Sequence, residues 1–533
     1  MLKRKMYDKL LAWKQQRHGE NIKKCLLVKG ARQVGKSFII REFGKNEYAA
    51  FICIDFFRQP ALKSIFDGDL TPEEILKRMT ANIRDFSLVP GNTLIFLDEI
   101  QRCGNARTAI KFLAEDMRFD VISSGSLMGL TYGEDDDDDV EVPESIPVGY
   151  ESQITMYSLD FEEFLWAYGY DDKAINILRS YYETGETIPE VIHNKYGSIF
   201  REFMVVGGMP EAVADFAEHK DFNRVAQIQN DILAEYRDDI AKHAKGKEKQ
   251  LVRMCYDAVP KQLAKELKKF QYSTVEKGKT RRKYGGSVQW LKDSEIVNAC
   301  YNIHEPYLPL MANANEDQFK LYVNDTGLLC CMYGFETKLA ILNDTIKGNA
   351  RGGIYENIIS ECLIKQGYTL YYFKPDNDHE IEFLIEKNGE VIPIEVKAGN
   401  NPTVSLNNFI SNFKPSVAYK LIGGRNGQSG VKSTLPHYFG NRQPNIAKMN
   451  PRQETKFPSR IFRIFGDFCG NDYATGNGSS DFFGNDMIFG QPSDRKSSTT
   501  FSRCSGYNSP STIKSNRLRT KLKSSEISVT SAF

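Results

Sequence analysis

The sequence lacks long apolar runs and an excess of charge of either sign. None of its apolar stretches approaches the length needed to cross a bilayer, which is about 18 residues. Residues 1–13 are basic but lack the apolar core of a secretion signal. The formal net charge is +1, so a basic surface for a nucleic acid must be local. We therefore expect a cytoplasmic protein without a membrane partner.

Cysteine patterns that bind zinc are also missing. The ten cysteines are scattered along the chain, Cys330 and Cys331 are adjacent, and no two cysteines form a C-x-x-C pair. This spacing favours reduced, mostly buried thiols over a disulfide framework or a zinc site.

The first third of the sequence alternates between apolar and mixed segments. Short apolar runs rich in β-branched residues occur at 25–30, 49–56, 93–99 and 119–125, and each precedes a segment long enough for a helix or a loop. This alternation predicts an α/β fold with a parallel sheet in residues 1–170.

The remainder of the 533 residues divides into four segments. Residues 171–242 have amphipathic patterns that predict a helical subdomain. In 243–312 we expect helices at 260–270 and 287–297 on either side of a basic loop at 276–286, and in 313–440 we expect mixed α/β structure. Residues 441–533 are rich in Ser, Asn, Gly, Phe and Arg without a regular period, which predicts a largely disordered tail. Their phenylalanine content also suggests an out-of-frame or foreign C-terminus, which the genomic reading frame would test.

An acidic run lies between the fourth apolar run and the next segment. Glu134 is followed by five consecutive aspartates, and like charges this close stay solvated. The run predicts a mobile surface loop rather than a metal site.

The most informative motif is GARQVGKS at 30–37, which matches G-x-x-x-x-G-K-[ST] between an apolar strand and the helix-like FIIREF. Glycines let backbone N–H groups wrap phosphates, Lys36 places a cation on the β and γ phosphates, and Ser37 offers a hydroxyl to Mg²⁺. We predict that ATP contacts Gly30, Ala31, Arg32, Gln33, Val34, Gly35, Lys36 and Ser37.

A second motif, LIFLDE at 94–99, supplies the acids that such a site needs. Asp98 ends a buried strand, where doubly wound sheets bind ligands, and we predict that Asp98 and Ser37 hold Mg²⁺. Glu99 would polarise the attacking water. An acid at this position favours a hydrolysing enzyme over a switch-type GTPase.

The next strand ends in SSGS at 123–126. Ser124 is our candidate for orienting the water or the γ phosphate, with Ser123 and Ser126 close behind, although these serines can also simply end a strand. If subunits share sites, an arginine finger is expected, and the candidates are Arg102, Arg107 and Arg118.

Several motifs of the sequence together resemble a known family. GARQVGKS, LIFLDEIQ, SGSLMG, PVGYESQITMYSLDFEEFL at 147–165 and VGGMPEAV at 206–213 are together similar to prokaryotic AAA-like P-loop ATPases of the archaeal-type, STAND-related group. These proteins carry a C-terminal domain of uncharacterised function. The resemblance reaches to about residue 440, and it implies that Gly207, Gly208 and Pro210 lie in a helical lid near the nucleotide.

The segment 243–312 looks like the winged-helix part of the same family. Its basic loop carries Lys277, Lys279, Arg281, Arg282 and Lys283, with aromatic residues at Phe270, Tyr272 and Tyr284. Such a loop can contact DNA phosphates or can be a solvated surface of a protein-binding domain. Both interpretations remain open.

The segment 313–440 contains an acidic cluster. Glu395 and Lys397 in IPIEVKAG lie on one face of a strand because side chains alternate. Glu380 and Glu382 share a face of the preceding strand, and Glu356 lies on an upstream helix. Together they resemble the PD-(D/E)xK nuclease core.

In that resemblance Glu382 and Glu395 would hold Mg²⁺ with assistance from Glu356, and Lys397 would orient the attacking water or stabilise the charge of the phosphate. This chain has E-I-E-F where related sequences usually have E-I-D-F, and the longer Glu382 side chain disturbs the metal geometry. A domain that binds without cleaving is the alternative.

Three functions fit these motifs. The first is an ATPase whose nucleotide state controls a DNA-associated, nuclease-like C-terminal domain. The second is an ATP-dependent nuclease. The third is a signalling ATPase that binds a protein partner or assembles into homo-oligomers.

Overall fold

The computed structural model of the chain describes residues 2–126, 147–244, 248–376, 379–399 and 403–440. The acidic run at 134–139 and the segment 441–533 lie outside these residues, so the predictions for both stay predictions.

The N-terminal part contains the predicted parallel sheet. Its strands are β1 (Cys25–Gly30), β2 (Ala50–Asp55), β3 (Thr93–Asp98), β4 (Asp120–Ser126) and β5 (Glu151–Thr155). All neighbouring strands run parallel in the order β2-β3-β4-β1-β5. The four predicted strands are confirmed to within one residue at either end. Because β4 lies between β1 and β3, the C-terminal ends of these three strands meet at one edge.

Helices cover both faces of this sheet. They are α1 (Lys5–Gly19), α2 (Lys36–Glu47), α3 (Pro72–Asn82) and α4 (Gly104–Glu115), and a 3₁₀ turn covers Ile100–Arg102. Alternate residues of β1 point to opposite faces: Leu26 packs in a core with α1 and α2, and Leu27 packs in a core with α3 and α4. Both faces are therefore buried, as a parallel sheet requires.

A run of helices follows the sheet, in agreement with the helical pattern of the sequence. They are α5 (Phe161–Ala167), α6 (Asp172–Thr184), α7 (Glu190–Val206), α8 (Pro210–His219) and α9 (Phe222–His243). Neither these helices nor the others in the described part of the chain are long and apolar enough to cross a membrane.

The helices of the next segment differ from their predicted positions. They are α10 (Glu248–Leu263), α11 (Tyr272–Val275) and α12 (Arg281–Asp293). The helix expected at 260–270 thus ends at Leu263, and the predicted basic loop is helical from Arg281 onward. The reason is tertiary packing, because Tyr284, Val288 and Leu291 are buried at helical spacing.

A second, mixed sheet of eight strands forms the C-terminal part. Its strands are β6 (Val297–Ile303), β7 (Ala314–Val323), β8 (Leu370–Phe373), β9 (Ile381–Lys387), β10 (Glu390–Val396), β11 (Ala418–Ile422), β12 (Gly427–Ser429) and β13 (Lys432–Pro436). The order is β12-β13-β11-β10-β9-β8-β6-β7. The accompanying helices are α13 (Thr326–Tyr333), α14 (Phe335–Leu342), α15 (Gly348–Lys365) and α16 (Val404–Phe413).

One apolar core joins the helical run to the second sheet. Its buried side chains extend from Leu159 to Phe439 and come from helices α5 to α10, α12, α13 and α15 and from both ends of the mixed sheet. The core therefore crosses the segment boundaries expected at 170, 242 and 312. The hairpin of β6 and β7 also spans residue 312.

Candidate functional site

Two glycines shape the loop between β1 and α2. The φ angles of Gly30 and Gly35 are 151° and 92°. A Cβ atom on Gly30 would lie 2.2 Å from the carbonyl oxygen of Met156, and Gly35 adopts the left-handed conformation that favours glycine. The chain can therefore turn directly from the strand into α2. The first N–H groups of that helix have no acceptor within the helix, which suits an anion.

The Lys36 side chain is buried at the start of α2. Its Nζ atom donates hydrogen bonds to the carbonyl oxygens of Gly30 and Ala31, both at 2.9 Å. Burial lowers the pKa of Lys36 to about 8, against the opposing effects of the Glu99 and Asp98 charges. The ammonium group is thus held at the loop by neutral acceptors, which a charged ligand can replace.

Asp98 is the centre of a polar cluster at the ends of β3 and β4. Its Oδ1 atom accepts hydrogen bonds from Ser37 Oγ at 2.8 Å and from Ser124 Oγ at 2.5 Å. Its Oδ2 atom accepts one from Arg41 Nη2 at 2.9 Å. The structure therefore brings Ser37, Asp98 and Ser124 together, and Arg41 is a member that the sequence analysis missed. Its spacing of four residues from Ser37 on one helix was the available signal.

The serine candidates separate in the structure. Ser124 Oγ contacts Asp98, whereas Ser123 Oγ donates to the carbonyl oxygen of Leu26 at 3.4 Å. Successive strand residues point to opposite faces, so only alternate side chains can reach the cluster. This geometry selects Ser124 over Ser123.

Glu99 follows the cluster in a left-handed conformation, with a φ of 55°. This turn ends β3 and starts the 3₁₀ turn Ile100–Arg102. The Glu99 carboxylate accepts a hydrogen bond from Gln101 Nε2 at 2.5 Å. Gln101, which the sequence analysis also missed, therefore orients the acid next to the loop.

A cavity of about 990 Å³ opens beside the loop. The loop side is lined by Gln33, Gly35 and Phe38, and the helical side by Trp166, Tyr170 and Pro210. Its volume and mixed apolar lining are typical of a site for a small molecule.

Arg4, the residue that precedes α1, contacts the loop and two segments distant from it in sequence. Its guanidinium donates to the carbonyl oxygens of Val34 at 3.2 Å and Tyr157 at 2.7 Å, and it pairs with Glu163 at 3.1 Å. Arg4 is buried, and it connects the loop to the start of the helical run. Nothing in a local motif reveals this contact, because its partners are distant in sequence.

Helix α9 contacts the other side of the loop. Arg32 pairs with Asp239 at 2.5 Å, Gln33 donates to Glu235, and Tyr236 donates to the carbonyl oxygen of Arg32 at 3.3 Å. Burial raises the pKa of Asp239 to about 6 although Arg32 lies beside it. Loop residues thus contact the helical run directly.

The Gly207-Gly208 turn lies where three segments approach closely. Gly208 N donates to Asp325 Oδ2 at 2.7 Å, and Gly208 O accepts from Leu159 N at 2.7 Å. A Cβ atom on Gly207 would lie 2.1 Å from Asp325, and one on Gly208 would lie 2.1 Å from Leu159 O. Both positions therefore require glycine. Pro210, two residues further on, lines the cavity beside the loop.

The arginine-finger candidates have different surroundings. Arg107 is buried and makes two hydrogen bonds to Glu151, at 2.7 and 3.0 Å. Arg118 is paired with Asp116 at 2.5 Å and Glu73 at 3.0 Å. Arg102 lies over the ring of Phe57 at 4.6 Å, and Phe57 is 64% exposed. Of the three, Arg107 is buried, Arg102 is half-buried and Arg118 is exposed.

The predicted cluster in the C-terminal sheet is also assembled, but as an ion pair. Lys397 Nζ donates to Glu382 Oε1 at 2.8 Å and lies 3.5 Å from Glu395 Oε1. The second Glu382 oxygen accepts from Val396 N at 3.1 Å. Burial raises the pKa of Glu382 and of Glu395. The lysine therefore occupies the position between the two acids.

Glu356 has separate partners. It is paired with Lys268 at 3.0 Å and Lys320 at 3.2 Å, and it accepts a hydrogen bond from Tyr322 at 3.0 Å. Lys320 also contacts Glu380. In the described part of the chain no group of three or more His, Cys, Asp or Glu side chains is arranged to hold a metal ion.

The basic segment before and within α12 is partly neutralised. Lys283 pairs with Glu276, and Arg281 pairs with Asp317. Two of its aromatic side chains, Phe270 and Tyr284, are buried. The Phe270 ring stacks on Phe319 with ring centroids 5.6 Å apart, and the Tyr284 hydroxyl donates to Glu276 at 2.6 Å. Neither ring is available to stack on a base.

The loop, the acidic strand end and the strand order define a P-loop nucleotide-binding domain. Residues 22–165 match the AAA domain family, so the chain carries an AAA-like P-loop ATPase domain, as predicted. Residues 197–339 and 351–433 match two families that are each described as a domain of unknown function (DUF8612 and DUF4143).

The similar proteins are distant. An uncharacterised protein of Mycobacterium bovis and one of Mycobacterium tuberculosis are each 28% identical over 100 residues, which is 18% of this chain. The match spans 22% of the length of these curated relatives.

Two solved structures from archaea are also similar. A Walker-type ATPase of Pyrococcus abyssi is 16% identical, with a TM-score of 0.37 over 62% of this chain and 96% of that one. A STAND ATPase with a tetratricopeptide repeat sensor from Pyrococcus horikoshii is 13% identical, with a TM-score of 0.20 over 66% of this chain and 45% of that one. Similarities of this size carry no argument about function.

Proposed function

We propose that this chain binds and hydrolyses ATP with Mg²⁺ as cofactor, and that its nucleotide state is transmitted to the C-terminal part of the chain. The observation that carries the proposal is the meeting of the Ser37 and Ser124 hydroxyls on one oxygen of Asp98, at the loop that holds Lys36.

The loop supplies the phosphate contacts. In the structure Lys36 donates to two uncharged carbonyl oxygens, and phosphate oxygens would replace these acceptors with charge-assisted hydrogen bonds. The N–H groups at the start of α2 would add further donors. Residues 30–37 therefore bind the β and γ phosphates.

The donor atoms at Asp98 fit Mg²⁺. Ser37 Oγ and Asp98 Oδ1 are oxygen ligands 2.8 Å apart, and Mg²⁺ in such sites is held by one or two protein oxygens together with water and substrate phosphates. When bound, it would neutralise charge on the phosphates. Ser37 and Asp98 would hold it.

Glu99 and Ser124 act on the attacking water in this proposal. Glu99 accepts a proton from the water as a general base, and the Gln101 amide fixes the direction of its carboxylate. Ser124, on strand β4 between β1 and β3, orients the water or the γ phosphate. The cavity beside Phe38, Trp166 and Tyr170 accepts the adenine ring, because aromatic side chains stack on its face.

A polar path supports the coupling to the C-terminal part. Leu159 N donates to Gly208 O, and Gly208 N donates to Asp325 at 2.7 Å. Leu159 O in turn accepts from Lys365 at 2.8 Å, and Lys365 pairs with Glu361 at 2.6 Å. A shift of the helical run on nucleotide binding would therefore move α13 and α15.

The C-terminal sheet is better suited to binding than to cleavage. Lys397 pairs with Glu382 and Glu395, and Lys268 and Lys320 pair with Glu356. The pairings of Arg281 and Lys283 similarly reduce the free charge for DNA. These contacts favour an assembly ATPase that binds a protein partner or a second copy of the chain over a DNA-associated nuclease.

Paired measurements of nucleotide binding and phosphate release on the full chain test the ATPase proposal. Glu99→Gln should retain binding of a fluorescent ATP analogue and lose at least about 100-fold in phosphate release, because general base catalysis contributes this much. Glu218→Gln, which changes an exposed glutamate, is the matched control. Normal turnover by Glu99→Gln would remove Glu99 from its role, and no turnover by the wild type with Mg²⁺ would contradict the proposal.

A further inference from the structure

The two carboxylate oxygens of Asp98 have different kinds of partner. Oδ1 accepts from the hydroxyls of Ser37 and Ser124, whereas Oδ2 accepts from Arg41 Nη2 at 2.9 Å. Asp98 is only 2% exposed, so water contributes little to its orientation. The Arg41 contact at Oδ2 and the two hydroxyls at Oδ1 therefore fix the orientation of the carboxylate together.

Helix geometry explains why Arg41 can reach this carboxylate. Arg41 lies four residues after Ser37 on α2, and side chains at this spacing share a helix face. Both can thus approach Asp98 from the same side. The planar guanidinium also offers several donors in fixed directions, and its Nη2 atom contacts Asp55 Oδ2 at 3.1 Å as well.

Asp55 is a fixed anchor for this bridge. Its Oδ1 atom accepts from the backbone N–H groups of Phe57 at 3.1 Å and Arg58 at 3.0 Å. Asp55 and Asp98 are register partners at the ends of β2 and β3. Two carboxylates this close repel each other, and Arg41 relieves the repulsion while it ties Asp98 to Asp55.

We propose that Arg41 is a positioning residue of the nucleotide site, which holds Asp98 with Oδ1 toward Ser37 and thereby sets the Mg²⁺ requirement of nucleotide binding. The inference rests on the proposed ATP site and adds a residue that acts through Asp98. In metal sites, residues that orient a ligand through a hydrogen bond change metal affinity without touching the metal.

A purely structural role for Arg41 makes a different prediction. If Arg41 only neutralised two buried acids, its loss would lower the stability of the fold and leave the Mg²⁺ dependence of binding unchanged. The Mg²⁺ concentration at half-saturation, rather than the amount of folded protein, therefore separates the two roles.

The experiment titrates Mg²⁺ into the full chain at a fixed concentration of a fluorescent ADP analogue and follows binding by anisotropy. Arg41→Ala should raise the half-saturating Mg²⁺ concentration by about tenfold or more, the size expected for loss of an orienting hydrogen bond. Arg41→Lys, which keeps the charge but loses the planar fork, should raise it by about threefold.

Arg58→Ala is the matched control. The Arg58 side chain is 74% exposed and approaches Asp55 Oδ2 at 3.6 Å, so its removal takes away a cation near the same anchor. Because an exposed ion pair contributes little, the half-saturating Mg²⁺ concentration should stay within about twofold of the wild type.

Two results would overturn the proposal: a wild-type half-saturation in Arg41→Ala, or an equal shift in Arg58→Ala. If Arg41→Ala does not fold, Arg41→Lys decides, and an unchanged half-saturation there is the contrary result. Equal nucleotide binding by the wild type and Lys36→Ala would contradict the proposed ATP site itself, so the two failures are distinguishable.

Discussion

Two clusters of this chain combine a lysine with acidic side chains, and the lysine is held differently in each. In the loop after β1, Lys36 donates to the carbonyl oxygens of Gly30 and Ala31. In the C-terminal sheet, Lys397 donates to Glu382 and lies beside Glu395. The first lysine has neutral acceptors, and the second has charged ones.

This difference determines what each cluster can bind. A phosphate that displaces a neutral carbonyl gains charge-assisted hydrogen bonds. A metal ion that enters between Glu382 and Glu395 must displace Lys397 from both acids, which leaves the lysine ammonium without its acceptors. Similar residue types therefore form a phosphate site with a lysine on neutral acceptors in one region and an ion-paired cluster in the other, where both carboxylate oxygens of Glu395 are buried without a hydrogen-bond donor among the described residues.

The largest expected effect comes from Lys36→Met. The variant should lose nucleotide affinity by at least about 100-fold, or about 2.7 kcal/mol, because charged hydrogen bonds to phosphate disappear. Its stability should change little, since Lys36 pairs only with carbonyl oxygens among the described contacts. Equilibrium binding of a fluorescent nucleotide measures the loss. An affinity equal to that of the wild type would contradict the role of Lys36 in phosphate binding.

The corresponding substitution in the C-terminal sheet should lower stability rather than nucleotide affinity. Lys397→Met leaves Glu382 and Glu395 without their cation, and it should lower the free energy of unfolding by about 2 kcal/mol, less than for a fully buried pair because the lysine is 24% exposed. Nucleotide affinity should be unchanged.

Urea unfolding of both lysine variants checks this prediction. Adding Glu382→Gln to Lys397→Met should recover part of the loss, because it removes one of the uncompensated acids. A Lys397→Met protein as stable as the wild type would mean that the two acids do not depend on the lysine.

A third, smaller effect follows from the protonation of Lys36. Burial lowers its pKa to about 8, so the ammonium is present below that pH and is lost as the pH rises through it. Nucleotide affinity should fall by up to about tenfold between pH 8 and pH 9. Lys36→Arg is the control, because a guanidinium stays charged in this range, and an equal fall in that variant would assign the effect to another group.

The smallest effect concerns the coupling between the two regions. Asp325 caps α13 by accepting from Leu328 N at 3.1 Å and holds Gly208 N at 2.7 Å. Asp325→Asn should keep the cap, since asparagine is a good N-cap residue, and lose about 1 kcal/mol at Gly208.

Hydrogen exchange of α15 with and without ATP tests this coupling. In the wild type ATP should slow exchange in residues 348–365, and Asp325→Asn should reduce the difference. Asp221→Asn, which changes the N-cap of α9, is the control. An equal ATP effect in Asp325→Asn and the wild type would show that Asp325 does not transmit the nucleotide state.

Local patterns were sufficient for part of this architecture. The strands of the first sheet and the helix after the loop were predictable because apolar runs and the G-x-x-x-x-G-K-S motif are contiguous in sequence. The position of Asp98 followed from the end of a buried strand. Strand alternation likewise placed Glu395 and Lys397 on one face, and the structure has them 3.5 Å apart.

Other features depend on contacts between distant segments. The contacts of Arg4 with Val34 and Tyr157 join parts of the chain that no motif links. The start of the helix at Arg281 was missed because its basic, glycine-containing first turns disfavour a helix locally, while burial of Tyr284 overrides that preference. Whether a lysine meets carbonyls or carboxylates is likewise a property of the fold rather than of the motif.

The continuous core from Leu159 to Phe439 has a consequence for how this chain can be divided. Cutting the chain at residue 350, between the two segments that match families of unknown function, would split that core and expose apolar surface on both fragments. We expect fragments cut there to be poorly soluble. In evolution, the two segments would then be inherited as a single cooperative folding unit.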